Sequence, residues 1–195
     1  MNRKVILVFS LVLFLAIAAE AQQYKNGIGV RLGDPTSITY KMYGKDGTAL
    51  EFALGSTSAG WWGGYYRNSF GLFSRYKDFF YVGHTVNSTV VLQGRFLKHK
   101  DLVTGIEGKF DWYYGFGGAM RLANIDYTYR ETQNGPIVRS NVNNISIGPE
   151  AILGLEYLFQ DAPVSVFAEA SLMMEIIARP LTPWSFGAIG VRYNF

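Results

Sequence analysis

Apolar residues recur at every second position through much of this chain. The pattern is clearest at the C-terminus, where Gly187, Ile189, Val191, Tyr193 and Phe195 alternate with Ala188, Gly190, Arg192 and Asn194. Successive side chains of a β-strand point to opposite faces, so such a strand has one apolar face and one small or polar face. The C-terminal segment is therefore predicted to be a strand.

Seven earlier segments alternate in the same way. They are Gly27–Gly33, Thr36–Tyr43, Thr48–Gly55, Ser88–Leu97, Lys109–Arg121, Ile145–Phe159 and Val164–Ile176. Together with Gly187–Phe195 they give an even number of strands, as single-chain bacterial membrane barrels have. The predicted fold is all-β: an eight-stranded antiparallel up-and-down transmembrane β-barrel.

The charged residues of these segments all lie on the face opposite the apolar one. They include Arg31, Lys41, Glu51, Arg95, Asp111, Arg121, Glu150, Glu156, Glu169, Glu175 and Arg192. A Lys or Arg that faces lipid at mid-membrane costs about 2–4 kcal/mol, which favours an arrangement with the charges inside. Eight strands leave an interior that side chains just fill, so these groups are expected to pair and to close the lumen.

A soluble barrel of the lipocalin type would place the same charges outside and the apolar residues inside. Two features favour the membrane barrel. The last strand carries apolar residues at every second place up to Phe195, and Trp61, Trp62, Tyr65 and Tyr66 are clustered after the third strand, as expected of an interfacial aromatic girdle.

The N-terminus has the pattern of a secretory signal peptide. Arg3 and Lys4 precede an almost uninterrupted apolar run, Val5–Ala19, and Ala19-Glu20-Ala21 is a cleavage site of the A-x-A type. The run is shorter than the about 20 residues that a spanning helix needs. We expect residues 1–21 to be removed and residues 22–195 to form the barrel domain.

The composition excludes several classes of protein. There is no cysteine, so neither a disulfide framework nor a lipoprotein anchor is expected. The formal net charge of +3 is too small and too scattered to indicate a nucleic-acid partner. Two histidines without cysteine make a metal site unexpected, and nothing in the sequence indicates a cofactor.

The connections alternate between short and long. Gly44–Gly47 and Gln160–Pro163 are turns, Lys98–Gly108 is intermediate, and Ser56–Asn87 and Leu122–Asn144 are predicted to be long loops. If the chain starts and ends on the periplasmic side, both long loops lie outside the cell, as in outer-membrane barrels.

Six short motifs together carry a family resemblance. They are Gly27–Gly33 (GIGVRLG), Ser37–Tyr43 (SITYKMY), Ala49–Gly55 (ALEFALG), Asp111–Gly118 (DWYYGFGG), Gly154–Phe159 (GLEYLF) and Gly190–Phe195 (GVRYNF). The chain resembles the small outer-membrane β-barrel proteins of Bacteroidetes and, in architecture, OmpA- and OmpX-type barrels. The resemblance implies that the last strand, with Tyr193 and Phe195, is the signal read by the barrel-assembly machinery.

No group of residues points clearly to catalysis. His84, Asn87 and Ser88 are the best candidates, in the manner of lipid A-modifying enzymes, but no acid is placed by spacing. His99 is expected to be solvated in a turn. The aromatic tract Gly60–Tyr81 is expected at the membrane rim, with a glycan, protein or lipopolysaccharide ligand as the alternative.

The sequence thus predicts a non-enzymatic outer-membrane barrel of a Gram-negative cell, with a structural or surface-interaction role. Its expected partners are outer-membrane lipids and, during biogenesis, the assembly machinery. A lipid A-modifying enzyme and a narrow transporter remain the alternatives.

Overall fold

The computed structural model describes residues 24–58, 62–103, 105 and 107–195. Its eight strands are β1 (Asn26–Asp34), β2 (Thr36–Tyr43), β3 (Thr48–Ser56), β4 (Phe80–Val103), β5 (Lys109–Arg130), β6 (Ile137–Leu158), β7 (Val164–Met174) and β8 (Pro183–Asn194). The predicted signal peptide, residues 1–21, lies outside the described residues.

The strands form a closed ring. Each strand pairs antiparallel with the next along the chain, and β8 pairs with β1, which confirms the predicted eight-stranded up-and-down barrel. At the closure the backbone N–H of Phe195 donates to the carbonyl of Asn26 at 2.8 Å, and the carbonyl of Phe195 accepts from Lys25 and Asn26. We call this end of the barrel the terminal end and the opposite end the loop end.

Large apolar side chains cover the outside of the barrel, while the charged side chains at the alternate strand positions point inward. The exposed set includes Ile28, Val30, Leu32, Ile38, Leu50, Phe52, Leu54, Leu92, Phe96, Phe116, Leu153, Leu155, Leu172, Ile189 and Val191. This orientation is the reverse of a lipocalin, so the soluble-barrel alternative is wrong. We call this surface the apolar belt.

The largest departures from the predicted strand bounds are extensions of three strands. β4 begins at Phe80 instead of Ser88, β5 continues to Arg130, and β6 begins at Ile137. The predicted long loop Leu122–Asn144 is therefore wrong, because most of it continues the β5–β6 hairpin. Only residues 131–136 connect the two strands.

The extension was missed because the polarity of its two faces is inverted. Leu122 pairs with Ile145 on the outer face, but the next outward pair is Asn124 and Asn143, and the inward side chains of β5 there are aromatic or aliphatic. A strand that leaves lipid for water needs a polar outer face and can bury apolar groups inside. The step between these two pairs marks the edge of the apolar belt.

The connection between β3 and β4 contains helix α1 (Gly63–Ser69) and two single-turn 3-10 helices, Phe70–Leu72 and Ser74–Tyr76. A further 3-10 turn, Lys45–Gly47, joins β2 to β3. None of the helices within the described residues is long and apolar enough to cross a membrane. We call residues 57–58 and 62–79 the cap segment, because they fold into the mouth of the barrel at the loop end.

Candidate functional site

The eleven charged residues predicted for the lumen are all buried inside the barrel, none more than 9% exposed. Strand geometry explains this, because residues two apart on a strand share a face. Eight of the eleven lie close enough to form one continuous network of four cations and four carboxylates.

Arg95 is the centre of the first half of this network. Its guanidinium donates to Glu150 at 2.8 and 3.1 Å, to Glu169 at 2.7 Å and to Glu51 at 3.2 Å. Glu169 also accepts from Arg31 at 2.5 Å. One planar fork thereby holds carboxylates from three different strands, a geometry that guanidinium groups favour.

Glu156 is the centre of the second half. It accepts from Lys41 at 2.6 Å and from Arg192 at 2.5 Å, and Arg192 reaches Glu51 with its other terminal nitrogen. Glu51 thus links the two halves. A buried charge without a partner costs several kcal/mol, and each of these eight groups has at least one of opposite sign.

Neutral residues complete the network, and the sequence analysis did not single them out. Gln93 lies between Arg31 and Glu150, Tyr113 donates to Glu169 at 3.0 Å, and Ser165 and Ser171 donate to Glu156 and Glu150. All occupy the inward parity of their strands, which is the signal that would have identified them. Charge alone was too narrow a criterion.

His99 also belongs to the lumen, and the prediction of a solvated turn residue is wrong. Its Nε2 lies 2.8 Å from Lys41 Nζ and 3.3 Å from Glu156 Oε2. The reason is that β4 continues to Val103, so His99 keeps the inward parity of Arg95.

Three of the predicted lumen residues do not join the network. Asp111 lies at the terminal end and pairs with Lys109 at 2.8 Å. Arg121 and Glu175 lie toward the loop end, and neither forms an ion pair with any described residue. Both contact aromatic side chains instead.

These aromatic side chains form a cage around Arg121. Its guanidinium lies 4.0 Å from the ring centroid of Trp184 and close to the rings of Tyr65 and Tyr66, and it donates to the hydroxyl of Tyr66. Such cation–π contacts stabilise a desolvated cation without a carboxylate. Glu175 instead accepts from Tyr65 at 2.9 Å and from Trp184 at 3.1 Å.

The cap segment supplies much of this cage. Tyr65, Tyr66, Phe70 and Tyr76 are buried against the inward faces of the extended strands, in one cluster with Ile125, Tyr127 and Tyr129. Burial raises the pKa of the Tyr65 phenol, which keeps it protonated as a donor to Glu175. The segment enters the barrel and does not lie on its rim.

The girdle interpretation of this tract is therefore wrong for Tyr65 and Tyr66. Trp62 is also drawn inward, because its indole N–H donates to Asp34 at 3.1 Å and its ring packs on Trp184 at 4.1 Å. Trp61 lies outside the described residues. Because this aromatic stretch has no periodicity, its sequence did not indicate whether its side chains would lie inside the barrel or at the membrane surface.

The candidate catalytic group is not assembled. His84 pairs with Tyr127 on the inward side and bonds to the hydroxyl of Tyr81 at 2.6 Å, whereas Ser88 pairs with Asn124 on the outward side. The two side chains are on opposite faces of the sheet. No cluster of three or more metal-ligating side chains occurs among the residues that the structure describes.

The proposed assembly-signal residues lie at the seam between β8 and β1. Tyr193 pairs with Ile28, and the rings of Tyr193 and Phe195 are stacked with centroids 6.3 Å apart. Phe195 is 53% exposed and points outward. Their role in assembly stays a prediction.

No protein-family profile and no curated protein sequence matches this chain. Among solved structures, it is similar to the N-terminal β-barrel domain of OprF from Pseudomonas aeruginosa, with a TM-score of 0.51 and 13% identity over 87% of this chain and 95% of that one. A second is Ail, the attachment invasion locus protein of Yersinia pestis, with a TM-score of 0.48 and 9% identity over 87% and 93% of the two chains. The likeness to the OprF domain supports the fold alone.

Proposed function

We propose that this protein is an integral outer-membrane barrel of a Gram-negative cell that neither conducts ions nor catalyses a reaction, and that acts as a structural or surface-interaction protein. The observation that carries this proposal is the filled lumen. The network from Arg31 to Lys41 crosses the interior, and the cap segment closes the mouth beyond it.

The apolar belt supports membrane insertion. Its outward positions carry large apolar side chains, and aromatic residues lie near the terminal end, namely the exposed Phe159 and the partly exposed Trp112 and Tyr157. We infer that the terminal end faces the periplasm and that the cap segment and the β5–β6 hairpin face outside. Export by the predicted signal peptide, and kinship with Bacteroidetes barrels, belong to the same proposal.

The surface available for interaction is the part of β4–β6 beyond the belt. Its outer face carries hydrogen-bonded amides: Asn124 joins Asn87 at 2.9 Å and Asn141 at 2.8 Å, and Asn141 donates to Asp126 at 2.6 Å. Polar side chains held rigidly across three strands suit contact with other surface molecules.

Planar-bilayer recording tests the closed lumen. We expect the purified protein to show no steady conductance, because an ion would have to displace several paired charges. A stable, well-resolved channel would contradict the proposal and favour the transporter alternative. Deacylated lipid A in cells that express the protein would favour the enzyme alternative.

Single-cysteine labelling tests the orientation, since the chain has no cysteine of its own. Asn134→Cys lies in the β5–β6 turn and Lys45→Cys in the β2–β3 turn, and both positions are exposed. A membrane-impermeant maleimide should label the first but not the second in intact cells. The reverse pattern would overturn the proposed orientation.

A further inference from the structure

A cavity of about 360 Å³ opens at the terminal end of the barrel. Tyr24, Tyr43, His99, Lys109, Asp111 and Glu156 contribute to its walls. It lies beneath the charge network and has no part in the proposed function. Its size is near the lower end of the range for small-molecule sites.

Asp111 is the unusual residue of this cavity. Its side chain is only 9% exposed, and while Oδ2 pairs with Lys109, the buried Oδ1 has no hydrogen-bond partner among the described residues. An unsatisfied buried carboxylate oxygen is costly, and native structures rarely keep one without a reason.

The charges around Asp111 do not balance. Asp101 lies directly opposite Asp111 across the β4–β5 pair, and both carboxylates share the ammonium of Lys109, at 3.5 and 2.8 Å. Like charges placed opposite each other on neighbouring strands are destabilising. Within the described part of the chain, these two carboxylates share a single cation, whereas the network above them has equal numbers of cations and carboxylates.

No neighbouring lysine supplies that cation. Lys98 donates to the carbonyl of Asp46, Lys100 lies over the outward rings of Trp112 and Tyr114, and Lys41 is held by Glu156. None of these three lysines neutralises the pair, so a cation from outside the barrel can take that place.

We propose that this cavity binds a small organic cation through a primary ammonium group, with Asp111 as its carboxylate partner. Tyr24 and Tyr43 offer aromatic walls, which suit the carbon part of an alkylammonium ligand. The absence of a metal-ligating cluster among the described residues speaks against a divalent metal as the occupant. That the ligand comes from the periplasm rests on the proposed function, which places the terminal end there. The site itself does not depend on that function.

Lys109 is the gate of this site. Its side chain is 55% exposed, so it can swing into solvent and leave Asp111 to an incoming ammonium group. Oδ1 has no hydrogen-bond partner among the described residues while Lys109 holds Oδ2, so an incoming ammonium group can donate to either oxygen once Lys109 has moved. Lys109 thus competes with the ligand for Asp111. Its removal should therefore raise the affinity for the ligand.

The probe is n-propylammonium, with n-propanol and propionate as neutral and anionic counterparts of the same size. The purified barrel, in a zwitterionic detergent, is titrated with each probe while backbone amide shifts are followed by NMR. We expect saturable shifts around Tyr43, His99 and Asp111 with the cation alone. Asp111→Asn should weaken binding about tenfold or more, as expected for loss of a charge-assisted hydrogen bond.

Two further variants separate this site from general attraction of cations. Lys109→Gln should bind n-propylammonium more tightly than the wild type, because it removes the competitor. Asp161→Asn, which removes an exposed carboxylate at the same end, should bind like the wild type. Each variant is first shown to be folded by its faster migration when unheated on a denaturing gel.

The proposal is overturned if n-propylammonium gives no saturable shifts, if Asp111→Asn binds as well as the wild type, or if Lys109→Gln binds more weakly. These measurements use purified protein and do not depend on conductance or orientation. Failure of this proposal and failure of the proposed function are therefore distinguishable.

Discussion

At the scale of the residue, stability depends on pairing and on close approach inside the lumen. Glu156 pairs with two cations, and the ring of Tyr113 packs over Gly154 of the neighbouring strand, which has no side chain. Both situations arise because eight strands leave so little room inside. Each can be tested by a single substitution with a matched control.

We expect Glu156→Ala to lower the free energy of unfolding by about 3–5 kcal/mol, since it leaves buried charges without their partner. Lys41 and Arg192 both lose their ion pair with Glu156. Arg130→Ala, at the outer end of β5, should change the free energy of unfolding by no more than about 0.5 kcal/mol. Urea unfolding in lipid vesicles measures both. Equal stability of the two variants would show that the network relaxes without cost.

A second prediction concerns Gly154, whose inward position is filled by the ring of Tyr113. A Cβ atom there would lie 2.3 Å from Cζ of Tyr113, and that ring is held by its bond to Glu169. We expect Gly154→Ala to destabilise the barrel by about 1–3 kcal/mol, as overpacking does. Gly187→Ala, with no atom near its Cβ position, is the control and should be near neutral. The same urea unfolding compares them.

At the scale of the element, the strands and their facing could be read from the sequence, but the loop end could not. Alternation identified all eight strands, and the charged parity placed residues such as Arg95 and Glu156 inside. The extensions of β5 and β6 alternate too, yet their polarity is inverted, so an apolar-outward criterion ended each strand at the edge of the belt. The cap segment has no periodicity, and only tertiary contacts draw Tyr65 inward.

Trp184 is the residue that ties the cap segment to the wall. Its ring contacts Trp62 and Tyr65 at centroid distances of 4.1 and 4.5 Å and also covers Arg121. We expect Trp184→Ala to release the segment and to speed trypsin cleavage after Arg67 by about tenfold or more, because proteolysis follows the open population.

Phe116→Ala is the matched control for this measurement, since Phe116 is an aromatic residue of the belt, 68% exposed, outside the buried cluster of the cap. Its cleavage rate should equal that of the wild type. Equal rates for Trp184→Ala and the wild type would mean that other contacts hold the segment.

At the scale of the whole molecule, the barrel combines three layers along its axis. The cavity at the terminal end is one cation short, the middle is a balanced network, and the loop end is aromatic. The outer surface is apolar around the lower layers and polar around the extended strands. The sequence indicated the middle layer through its charges, but the other two depend on residues brought together from distant parts of the chain, such as Tyr43 with Asp111 and Tyr65 with Trp184.

The last prediction separates the two roles that Phe195 can have in forming this molecule. Its backbone closes the barrel through hydrogen bonds with Asn26, while its phenyl side chain is exposed on the outside and does not line the lumen. Phe195→Ala keeps the backbone bonds, so the purified variant should refold in detergent as well as the wild type. If the ring is read by the assembly machinery, the same variant should fail to accumulate in the outer membrane of cells. Phe159→Ala removes another exposed aromatic ring near the same end and should accumulate normally. Normal accumulation of Phe195→Ala would remove the recognition role and leave Phe195 as a closure residue alone.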